Sequence, residues 1–399
     1  MQENEDNQVF ANGENNYFIE NGDEGLLLTS QDLRELRDSG PSLEFPHIHN
    51  SIAHLLVRQI PPTISKEEEL LALANSHSSW INCAIKTTDD RGLGIFATQR
   101  IPVGSLILSE QPTLKVSHMS VDAEELLVKL TELSLDNLRE FALLHNAFPQ
   151  DGLKGVVKTN GFRIPDDRDT LLQCVGEIGM YFQAARINHA CLFNGQHTID
   201  NRSDVLTVYA TRDIEEGEEI TINYSNPFMT REGRQADLKK DYRFECKCEL
   251  CTKDDTTTKD DDDRAKVVSQ ILSLEKLNLM PTHSSQDRIQ RLKFLQCAIK
   301  CCTGLGFKTG NVVGELYGRA MQTTSSRLEA GEVVRAEGLA RMACFTQRVC
   351  EAVKVVLGDE HEYVVVRREF LTTDDMIAGT KAIPTELSSE ELNEWLWNV

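Results

Sequence analysis

Short strands are indicated wherever apolar and polar positions alternate along the chain. Such stretches, separated by turn residues, occur in INCAIKTTDD, RGLGIFATQRI and SLILSEQPTLKV, and again in VLTVYATRDI and EEITINYS. Alternation over a few residues between turn signals is typical of a sheet of short antiparallel strands. We therefore predict a β-rich domain over residues 80–228.

Helical spacing replaces this alternation in two parts of the chain. Between residues 122 and 145, Leu126, Leu127, Leu130 and Leu133 recur on one helical face, which predicts a helical insert at about 119–178. After residue 264, several amphipathic segments end near Gly or Pro, as helices do. They cover 265–280, 287–303, 312–329 and 332–357. We therefore predict an α-helical C-terminal domain over 265–399.

Polar composition marks the segments outside these domains. Residues 1–45 are rich in Asn, Glu, Asp and Gly without sustained periodicity, so we expect a disordered acidic tail. Residues 46–79 form a lead-in in which KEEELLALANSH, with Ser65 as its N-cap, predicts a helix. The stretch DDTTTKDDDD is charged and free of apolar residues, which predicts an acidic linker over 253–264.

The net charge argues against a nucleic-acid partner. The 399 residues carry a formal charge of −21 without a run of Lys or Arg, whereas phosphate binding needs a basic surface. A basic protein partner fits better, although the first 50 residues, with eleven acidic and two basic side chains, supply much of the charge. The chain has no run of eighteen apolar residues and no signal-like start. We therefore expect an intracellular protein, nuclear and/or cytoplasmic, without a membrane span.

Three cysteines fall within six residues. Cys246, Cys248 and Cys251 form a C-x-C-x2-C cluster in a chain of eleven cysteines. In a reducing compartment this spacing favours a metal over disulfides. Three thiolates this close can bind one Zn²⁺, which needs a fourth ligand. Cys191 upstream and Cys297 downstream are the candidates, and Cys191 is favoured because it lies in the same motif-rich stretch.

Four motifs follow one another along the chain: RGLGIF at 91–96, RINHACLFN at 186–194, EEGEEI at 215–220 leading to NY at 223–224, and the cysteine cluster. In this order they resemble the signature of SET-domain protein lysine methyltransferases. The similarity covers about residues 80–252, and the insert and helical C-terminus most resemble SMYD-type and fungal SET proteins. The implied fold class is α+β, with a β-rich SET domain, a helical insert, a zinc-bound post-SET segment at 229–252 and an α-helical C-terminal domain.

The resemblance implies a binding site for S-adenosylmethionine (SAM). Two closely spaced glycines would let the backbone approach a ligand, because glycine has no Cβ, and they do not continue into a Rossmann fingerprint. The family match also makes Cys191 the fourth zinc ligand. The residues that it assigns to SAM are Arg91, Gly92, Leu93, Gly94, Asn160, Asn188, His189, Tyr224 and Phe244.

The same resemblance assigns catalysis to tyrosines. Tyr224 matches the catalytic tyrosine, whose hydroxyl would orient the target amine or aid its deprotonation, and Tyr242 would line the lysine channel. Methyl transfer is an in-line displacement, so the enzyme chiefly aligns the amine, the methyl carbon and the sulfur. Zinc binding would hold Tyr242 and Phe244 over the site and thereby couple folding to activity.

The match to the family is incomplete at several points. Ala190 stands where Ser is usual, which removes a hydroxyl hydrogen bond, and Phe193 stands where Pro fixes a turn. The MYND zinc module of SMYD-type proteins is missing, since Cys174 is the only cysteine between Gln111 and Met180. The C-terminal helices resemble a TPR-like domain, but no repeat of roughly 34 residues is visible.

The predicted function is SAM-dependent methylation of a protein lysine. The partner is a protein with an accessible lysine, histone tails included, and neither nucleic acid nor a membrane is expected to take part. The sequence leaves the oligomeric state open. One alternative is a SET scaffold with weak or no catalysis that acts as a protein-interaction module, which Ala190 and Phe193 favour. The other is methylation of a small molecule or of a protein group other than lysine.

Overall fold

The structure of the protein is a computed structural model, which describes residues 11–12, 16–21, 24–29, 80–88, 91–117, 123–165, 176–200, 202–276 and 279–398. The helix predicted within 46–79 lies outside the described residues, as does most of the predicted tail at 1–45. Part of that tail forms a sheet of three strands, β1 (Ala11–Asn12), β2 (Asn16–Asn21) and β3 (Glu24–Thr29). The structure therefore differs from a disordered tail there, and the aromatic and β-branched residues in NYFIEN favour the strand.

Three small sheets make up the β-rich domain from residue 80 onward. The strands are β4 (Cys83–Thr87), β5 (Leu93–Ala97), β6 (Leu106–Glu110), β7 (Leu114–Ser117), β8 (Gly161–Arg163), β9 (Glu177–Met180), β10 (Asn188–His189), β11 (Gly195–Ile199), β12 (Leu206–Ala210) and β13 (Glu219–Ile222). The strand orders in the three sheets are β10-β13-β5-β4, β11-β12-β6 and β7-β9-β8. All pairs are antiparallel except β10 with β13.

Alternating apolar side chains form the core between these sheets. Along β12, Leu206, Val208 and Ala210 are buried, and the two residues between them are partly exposed. Ile95 of β5 and Ile220 of β13 are also fully buried and lie opposite each other in the register. Burying an aliphatic side chain of this size contributes about 1.5–3 kcal/mol. The apolar pattern thus fixes the pairing of β5 with β13.

The insert consists of three helices followed by strands. The helices are α1 (Ala123–Thr131), α2 (Leu135–Ala142) and α3 (Leu153–Asn160), with a 3-10 turn at Pro149–Asp151. Leu126 and Leu130 are buried and Leu133 is partly buried, as the predicted apolar face requires. The predicted insert at about 119–178 is not helical throughout, because β8 follows α3 directly and pairs with β9.

Nine further helices follow β13. They are α4 (Arg231–Asp241), α5 (Glu249–Thr252), α6 (Asp255–Lys276), α7 (Ser285–Gly304), α8 (Asn311–Glu329), α9 (Arg335–Leu357), α10 (Glu362–Leu371), α11 (Asp374–Lys381) and α12 (Ser389–Trp397) in the described residues. The bounds of α7, α8 and α9 lie close to those predicted. Ser284 and Ser388 close capping boxes on α7 and α12, which satisfy N–H groups at each helix start.

Helix α6 begins at Asp255, so most of the linker predicted at 253–264 is helical. The Asp254 carboxylate accepts hydrogen bonds from the backbone N–H groups of Thr256 and Thr257, both at 3.0 Å, and so caps the helix. Asp261 is buried and pairs with Lys253 and Arg264, both at 2.9 Å. Acidic composition predicts a linker only when the charges are solvated, whereas here Asp261 is buried and Asp255 pairs with Arg231 of α4 at 2.7 Å.

The C-terminal helices pack directly on the β-rich domain. Thr198 of β11 donates from Oγ1 to the carbonyl of Val356 in α9 at 3.4 Å. Phe228, just after β13, is buried in the same apolar core as Leu292 and Trp397. The helical region is therefore continuous with the segment that follows β13. No helix in the described part of the chain has the length and apolar character needed to cross a membrane.

Candidate functional site

Strand β13 brings the separated motifs together. Glu219 and Ile220 pair with Phe96 and Ile95 of β5, which belong to the RGLGIF motif. The other edge of β13 pairs in parallel with β10, where Thr221 lies opposite Asn188. Two motifs almost one hundred residues apart therefore flank one strand, and Tyr224 follows that strand by two residues.

Glu219 connects the two motifs through its carboxylate. It forms an ion pair with Arg91 and accepts a hydrogen bond from Asn188 Nδ2 at 2.8 Å. The Asn188 amide also donates to the Leu93 carbonyl at 3.0 Å, so both of its hydrogens are engaged. A Cβ at Gly94 would lie 2.6 Å from Glu219 Oε1 and 3.0 Å from Asn188 Nδ2. Glycine at 94 is therefore what allows this network to form.

The turn before β5 leaves the backbone of Gly92 exposed. Thr88 receives a hydrogen bond at Oγ1 from Arg91 N at 2.9 Å and donates from its own N–H to the Gly92 carbonyl at 2.7 Å. Gly92 has a φ of +71°, and a Cβ there would have no atom within 4 Å. The backbone of Gly92 is thus in a conformation that favours glycine and faces open space.

His189 joins the tyrosine to the cysteines. Its Nδ1 accepts a hydrogen bond from Tyr224 N at 3.0 Å, and its Nε2 lies 3.3 Å from Cys191 Sγ. Burial lowers the pKa of His189 to about 4, so the ring is neutral at physiological pH. Because Nδ1 accepts, the proton is on Nε2 and points toward the sulfur.

An aromatic cluster surrounds Tyr224. Its ring centroid lies 4.8 Å from that of Tyr242, 5.3 Å from that of His189 and 6.5 Å from that of Phe244. The Tyr224 hydroxyl donates to the Ile187 carbonyl at 2.5 Å, and burial raises the pKa of this phenol. Tyr224 therefore remains a neutral hydroxyl whose oxygen lone pairs can accept a hydrogen bond.

Arg243, between Tyr242 and Phe244, has a left-handed backbone with a φ of +63°. Its guanidinium lies 4.7 Å from the ring centroid of Phe148 in the insert. A non-glycine residue in this region costs about 1 kcal/mol, so the conformation is held by its surroundings. It lets both flanking aromatic side chains contact Tyr224.

Four cysteines converge below this cluster. The sulfur atoms of Cys191, Cys246, Cys248 and Cys251 all lie within 4.8 Å of one another. Cys191 Sγ lies 3.5 Å from Cys251 Sγ and 4.0 Å from Cys246 Sγ. Tetrahedral Zn–S bonds of about 2.3 Å place sulfurs about 3.8 Å apart. The donor set therefore fits a metal ion such as zinc, and the alternative fourth ligand, Cys297, is an exposed residue of α7.

Helix α4 supplies two side chains to this cluster. Gln235 clamps the backbone of Cys246, donating to its carbonyl at 2.7 Å and accepting from its N–H at 2.9 Å. Arg234 is buried and its guanidinium contacts the sulfurs of Cys191 and Cys251. Burial alone would lower the pKa of Arg234, but its electrostatic interactions and hydrogen bonds with Cys191 and Cys251 raise it. A buried positive charge thus lies beside two of the four sulfurs.

The turn that leads into Asn188 rests on a buried carboxyl group. Glu110 accepts hydrogen bonds from Gln183 N at 3.0 Å and Ala184 N at 2.9 Å, where the 3-10 turn Ala184–Arg186 begins. Burial raises the pKa of Glu110 to about 7. The position of the RINHACLFN motif therefore depends on a carboxyl group that titrates near neutrality.

Asn160 is positioned by the insert. It ends α3, is buried, and donates from Nδ2 to the carbonyls of His145 at 2.7 Å and Val156 at 2.8 Å. These contacts do not join it to Glu219 or Tyr224. Its assignment to the cofactor site accordingly remains a prediction.

The two departures from the family pattern have different environments. Ala190 donates from its backbone N–H to the Ile222 carbonyl at 3.1 Å, so this residue still pairs with β13. Phe193 packs against Phe307 of the helical region, with ring centroids 5.6 Å apart. Asn194, which follows, donates to the Glu219 carbonyl at 2.8 Å and accepts from Thr221 N at 2.8 Å.

A cavity of about 390 Å³ lies between these loops and the C-terminal helices. Phe193, Phe228 and Phe307 line it, together with His197 and several amide side chains, and no charged residue contributes to its described wall. Burial lowers the pKa of His197 to about 4, so this ring is neutral as well. The cavity is therefore suited to uncharged groups.

Comparison with known proteins explains this arrangement. The SET domain family matches residues 92–225, the stretch that contains Gly92, the RINHACLFN motif and Tyr224. Residues 92–225 form a SET domain. The predicted fold class is confirmed, with the SET domain's β sheets, a cysteine cluster after it and a helical C-terminal region.

Known relatives of the SET domain include fungal and animal enzymes. The chain is 32% identical over 165 residues to the Schizosaccharomyces pombe histone-lysine N-methyltransferase set5, covering 41% of this chain and 48% of that protein. It is 30% identical over 229 residues to the human histone-lysine N-methyltransferase SMYD3, covering 46% and 50%. The chicken protein-lysine N-trimethyltransferase SMYD5 is 30% identical over 118 residues, 28% of each chain. The match to this chain spans about half the length of each of the first two relatives.

Sequence reasoning missed several side chains that organise the SET domain. Glu219 lies within a recognised motif, but its contacts with Arg91 and Asn188 depend on the pairing of β13 with β5. Arg234 and Gln235 lie in a helix without a motif. A buried arginine beside a cysteine cluster leaves no local sequence signal, so only the tertiary structure identifies it.

Proposed function

We propose that this chain is a SAM-dependent protein-lysine N-methyltransferase. The observation that carries the proposal is the placement of Gly92, Asn188 and Tyr224 around one strand, next to an aromatic cluster and four converging cysteines. The family match and the enzymatic activities named for the relatives support the same reaction.

The chain's own groups fit SAM. Gly92 offers backbone facing open space, and the Asn188 amide hydrogens are already engaged, which leaves its carbonyl oxygen as an acceptor. Arg91, Leu93, Gly94, His189 and Phe244 would complete the binding site, and Asn160 would contact the cofactor from the insert. SAM would supply the reactive methyl group when bound.

Tyr224 would orient the target amine rather than remove its proton. Its hydroxyl hydrogen is committed to the Ile187 carbonyl, and burial raises the pKa of the phenol, so a phenolate is disfavoured. A free lysine has a pKa of about 10.4 and is protonated at neutral pH. The aromatic surface of Tyr224 and Tyr242 would desolvate the ammonium group and lower that pKa. The neutral amine could then donate a hydrogen bond to the Tyr224 oxygen.

The four cysteines Cys191, Cys246, Cys248 and Cys251 would bind a structural zinc ion. Four sulfur ligands without an open position are typical of structural rather than catalytic zinc. The metal would hold the segment with Tyr242 and Phe244 against Tyr224. Folding of that segment and activity would then depend on the same ion.

The proposed substrate is a protein lysine, in a histone or another protein. The relatives' names support this class, and the net charge of −21 suits a basic protein partner. Such a substrate is consistent with a nuclear and/or cytoplasmic protein. The inactive scaffold would be favoured by Ala190 and Phe193, but the intact Tyr224 environment supports catalysis.

The test incubates purified, zinc-replete protein with methyl-labelled SAM and a lysine-rich cell extract. Wild type should label protein lysine, identified by mass spectrometry, and Tyr224→Phe should lower the rate about 100-fold, the scale of losing one positioned hydrogen bond. Cys248→Ser should lose label together with zinc, and Tyr363→Phe in α10 should behave as wild type. If wild type binds SAM and zinc but labels nothing, the scaffold alternative is supported. Label on a small molecule or another protein group would support the second alternative.

A further inference from the structure

The loop between α7 and α8 packs on the segments that carry the candidate site. We call residues 305–310 the clamp loop. Phe307, in this loop, contacts Phe193 with ring centroids 5.6 Å apart and Phe228 with centroids 5.3 Å apart. Phe193 follows Cys191 by two residues, and Phe228 follows Tyr224 by four. One side chain of the helical region thus touches both candidate segments.

Other residues of the clamp loop make contacts on the same surface. Gly306 has a φ of +96°, and a Cβ there would lie 2.9 Å from Leu192 Cδ1. Thr309 donates from Oγ1 to the Thr211 carbonyl at 3.1 Å. A Cβ at Gly310 would lie 2.7 Å from Gln196 Oε1. The contacts extend along residues 192–196, directly after the zinc-ligand candidate.

The clamp loop is itself rigidly held. Gly310 N donates to the Ala352 carbonyl of α9 at 2.9 Å, and Phe307 N donates to the Cys302 carbonyl of α7 at 2.9 Å. Phe228 is 5% exposed within the apolar core of the helices. The loop therefore fixes the position of the SET-domain segments relative to the helical core.

We propose that the clamp loop is a positioning element of the SET site, with Phe307 holding the Asn188–Asn194 motif and the segment after Tyr224 in register. Phe193 stands where the resembled family has Pro. This chain therefore lacks the proline ring that would restrict the backbone φ angle in this turn. Packing of Phe307 on Phe193 would hold the turn through a tertiary contact instead. The proposal rests on the proposed function for its kinetic consequences but not for its structural ones.

The first test is hydrogen–deuterium exchange on the full, zinc-replete chain. Phe307→Ala should raise the exchange rates of amides in residues 188–196 and 222–228 about tenfold, the scale of losing two aromatic contacts. Phe307→Leu should restore much of the protection. Phe294→Ala, an exposed phenylalanine in α7, should change nothing. Met376→Ala, buried in α11, serves as a control for general loss of stability and should leave both segments protected.

The second test measures methyl-transfer kinetics. Phe307→Ala should lower kcat about tenfold or more, since small misplacements of reacting groups are costly, while KM for the protein substrate changes less than twofold. Met376→Ala should retain wild-type kcat below its melting temperature. Unchanged exchange in both segments for Phe307→Ala, or equal effects of Phe307→Ala and Met376→Ala, would overturn the proposal. Absence of turnover in wild type would overturn the proposed function, and the exchange result would still decide the role of the loop.

Discussion

At the scale of single residues, Arg234 places a buried positive charge beside the cysteines. Zinc with four thiolates carries a net charge of about −2, which is costly to bury without compensation. Arg234 is 2% exposed and contacts Cys191 and Cys251, and within the described residues it has no ion pair with a carboxylate. Its charge would therefore compensate that of the proposed zinc site.

Replacing Arg234 should weaken metal binding. Arg234→Met removes the charge and the contacts with both sulfurs, and we expect a 10- to 100-fold weaker zinc affinity, the range typical of residues that contact metal ligands. Arg234→Lys should recover part of it by keeping the charge. Competition with a chromogenic chelator measures the affinity, and Lys240→Met, at an exposed site in the same helix, is the control. Equal affinities of wild type and Arg234→Met would show that the charge is not needed.

Residue identities could be predicted from the sequence only where a motif carried them. The C-x-C-x2-C spacing and the RINHACLFN motif predicted four cysteines as zinc ligands, and their sulfur atoms do lie close together. Arg234 and Glu219 escaped prediction because their roles come from contacts across 17 or more residues. A charged side chain without a motif looks the same in sequence whether it is solvated or buried.

At the scale of elements, the side-chain hydrogen bonds that link β5, β13 and β10 depend on Gly94. Gly94→Ala would place a methyl group 2.6 Å from Glu219 Oε1, so the carboxylate must move and its hydrogen bond with Asn188 is lost. Losing a hydrogen bond to a charged group costs about 1.5 kcal/mol, and we expect SAM to bind about tenfold more weakly by calorimetry. Gly318→Ala in α8, with no neighbour closer than 4.0 Å, is the control.

A double-mutant cycle tests the mechanism of that loss. In a Glu219→Ala background the added methyl group has no carboxylate to displace, so Gly94→Ala should have little further effect on SAM affinity. Interacting neighbours deviate from additivity in this way. Additive losses from the two substitutions would mean that Gly94 acts independently of Glu219.

Glu110, which accepts hydrogen bonds at the start of the 3-10 turn Ala184–Arg186, should make the stability of the protein depend on pH. Burial raises the pKa of Glu110 from 4.5 to about 7, so the folded state binds more protons than the unfolded state between these values. The stabilising contribution is complete below about pH 4.5 and is lost as the pH rises through 7. The full shift corresponds to a change in the free energy of unfolding on the order of 3 kcal/mol.

Urea unfolding at pH 5.5 and pH 8 measures this change. Wild type should lose more stability over the interval than Glu110→Gln, because glutamine resembles the protonated acid at every pH. Glu390→Gln, at an exposed site in α12, should follow wild type. An identical pH dependence in wild type and Glu110→Gln would rule out titration of Glu110 in this range.

Elements were predictable where one periodicity dominated. The apolar faces of α7, α8 and α9 and the alternation in β12 are local patterns, and their positions follow from the sequence. The start of α6 at Asp255 was not predicted, because it depends on contacts of Arg231 in α4 with Asp255 and Asp262. Composition cannot show whether a carboxylate has a tertiary partner.

At the scale of the whole molecule, metal content and stability should change together. Removing metal with a strong chelator should lower Tm by at least about 5 °C, since a loss of several kcal/mol shifts Tm by a few degrees per kcal/mol at this size. Zinc should restore the original Tm. Cys297→Ser, which alters an exposed cysteine outside the cluster, should respond to the chelator as wild type does. A chelator-insensitive Tm in wild type would contradict a structural metal.

The route of the chain between the cysteines has a topological consequence. Cys191 and Cys246 are separated by 55 positions along the chain, and the loop between them contains β11, β12 and β13 together with Tyr224. A metal that joins its two ends is a removable cross-link. For a covalent link, the chain-entropy estimate for a loop of this length is about 4 kcal/mol at 25 °C. Release of the ion would return that entropy to the unfolded chain, so the SET domain as a whole would lose that part of its stability.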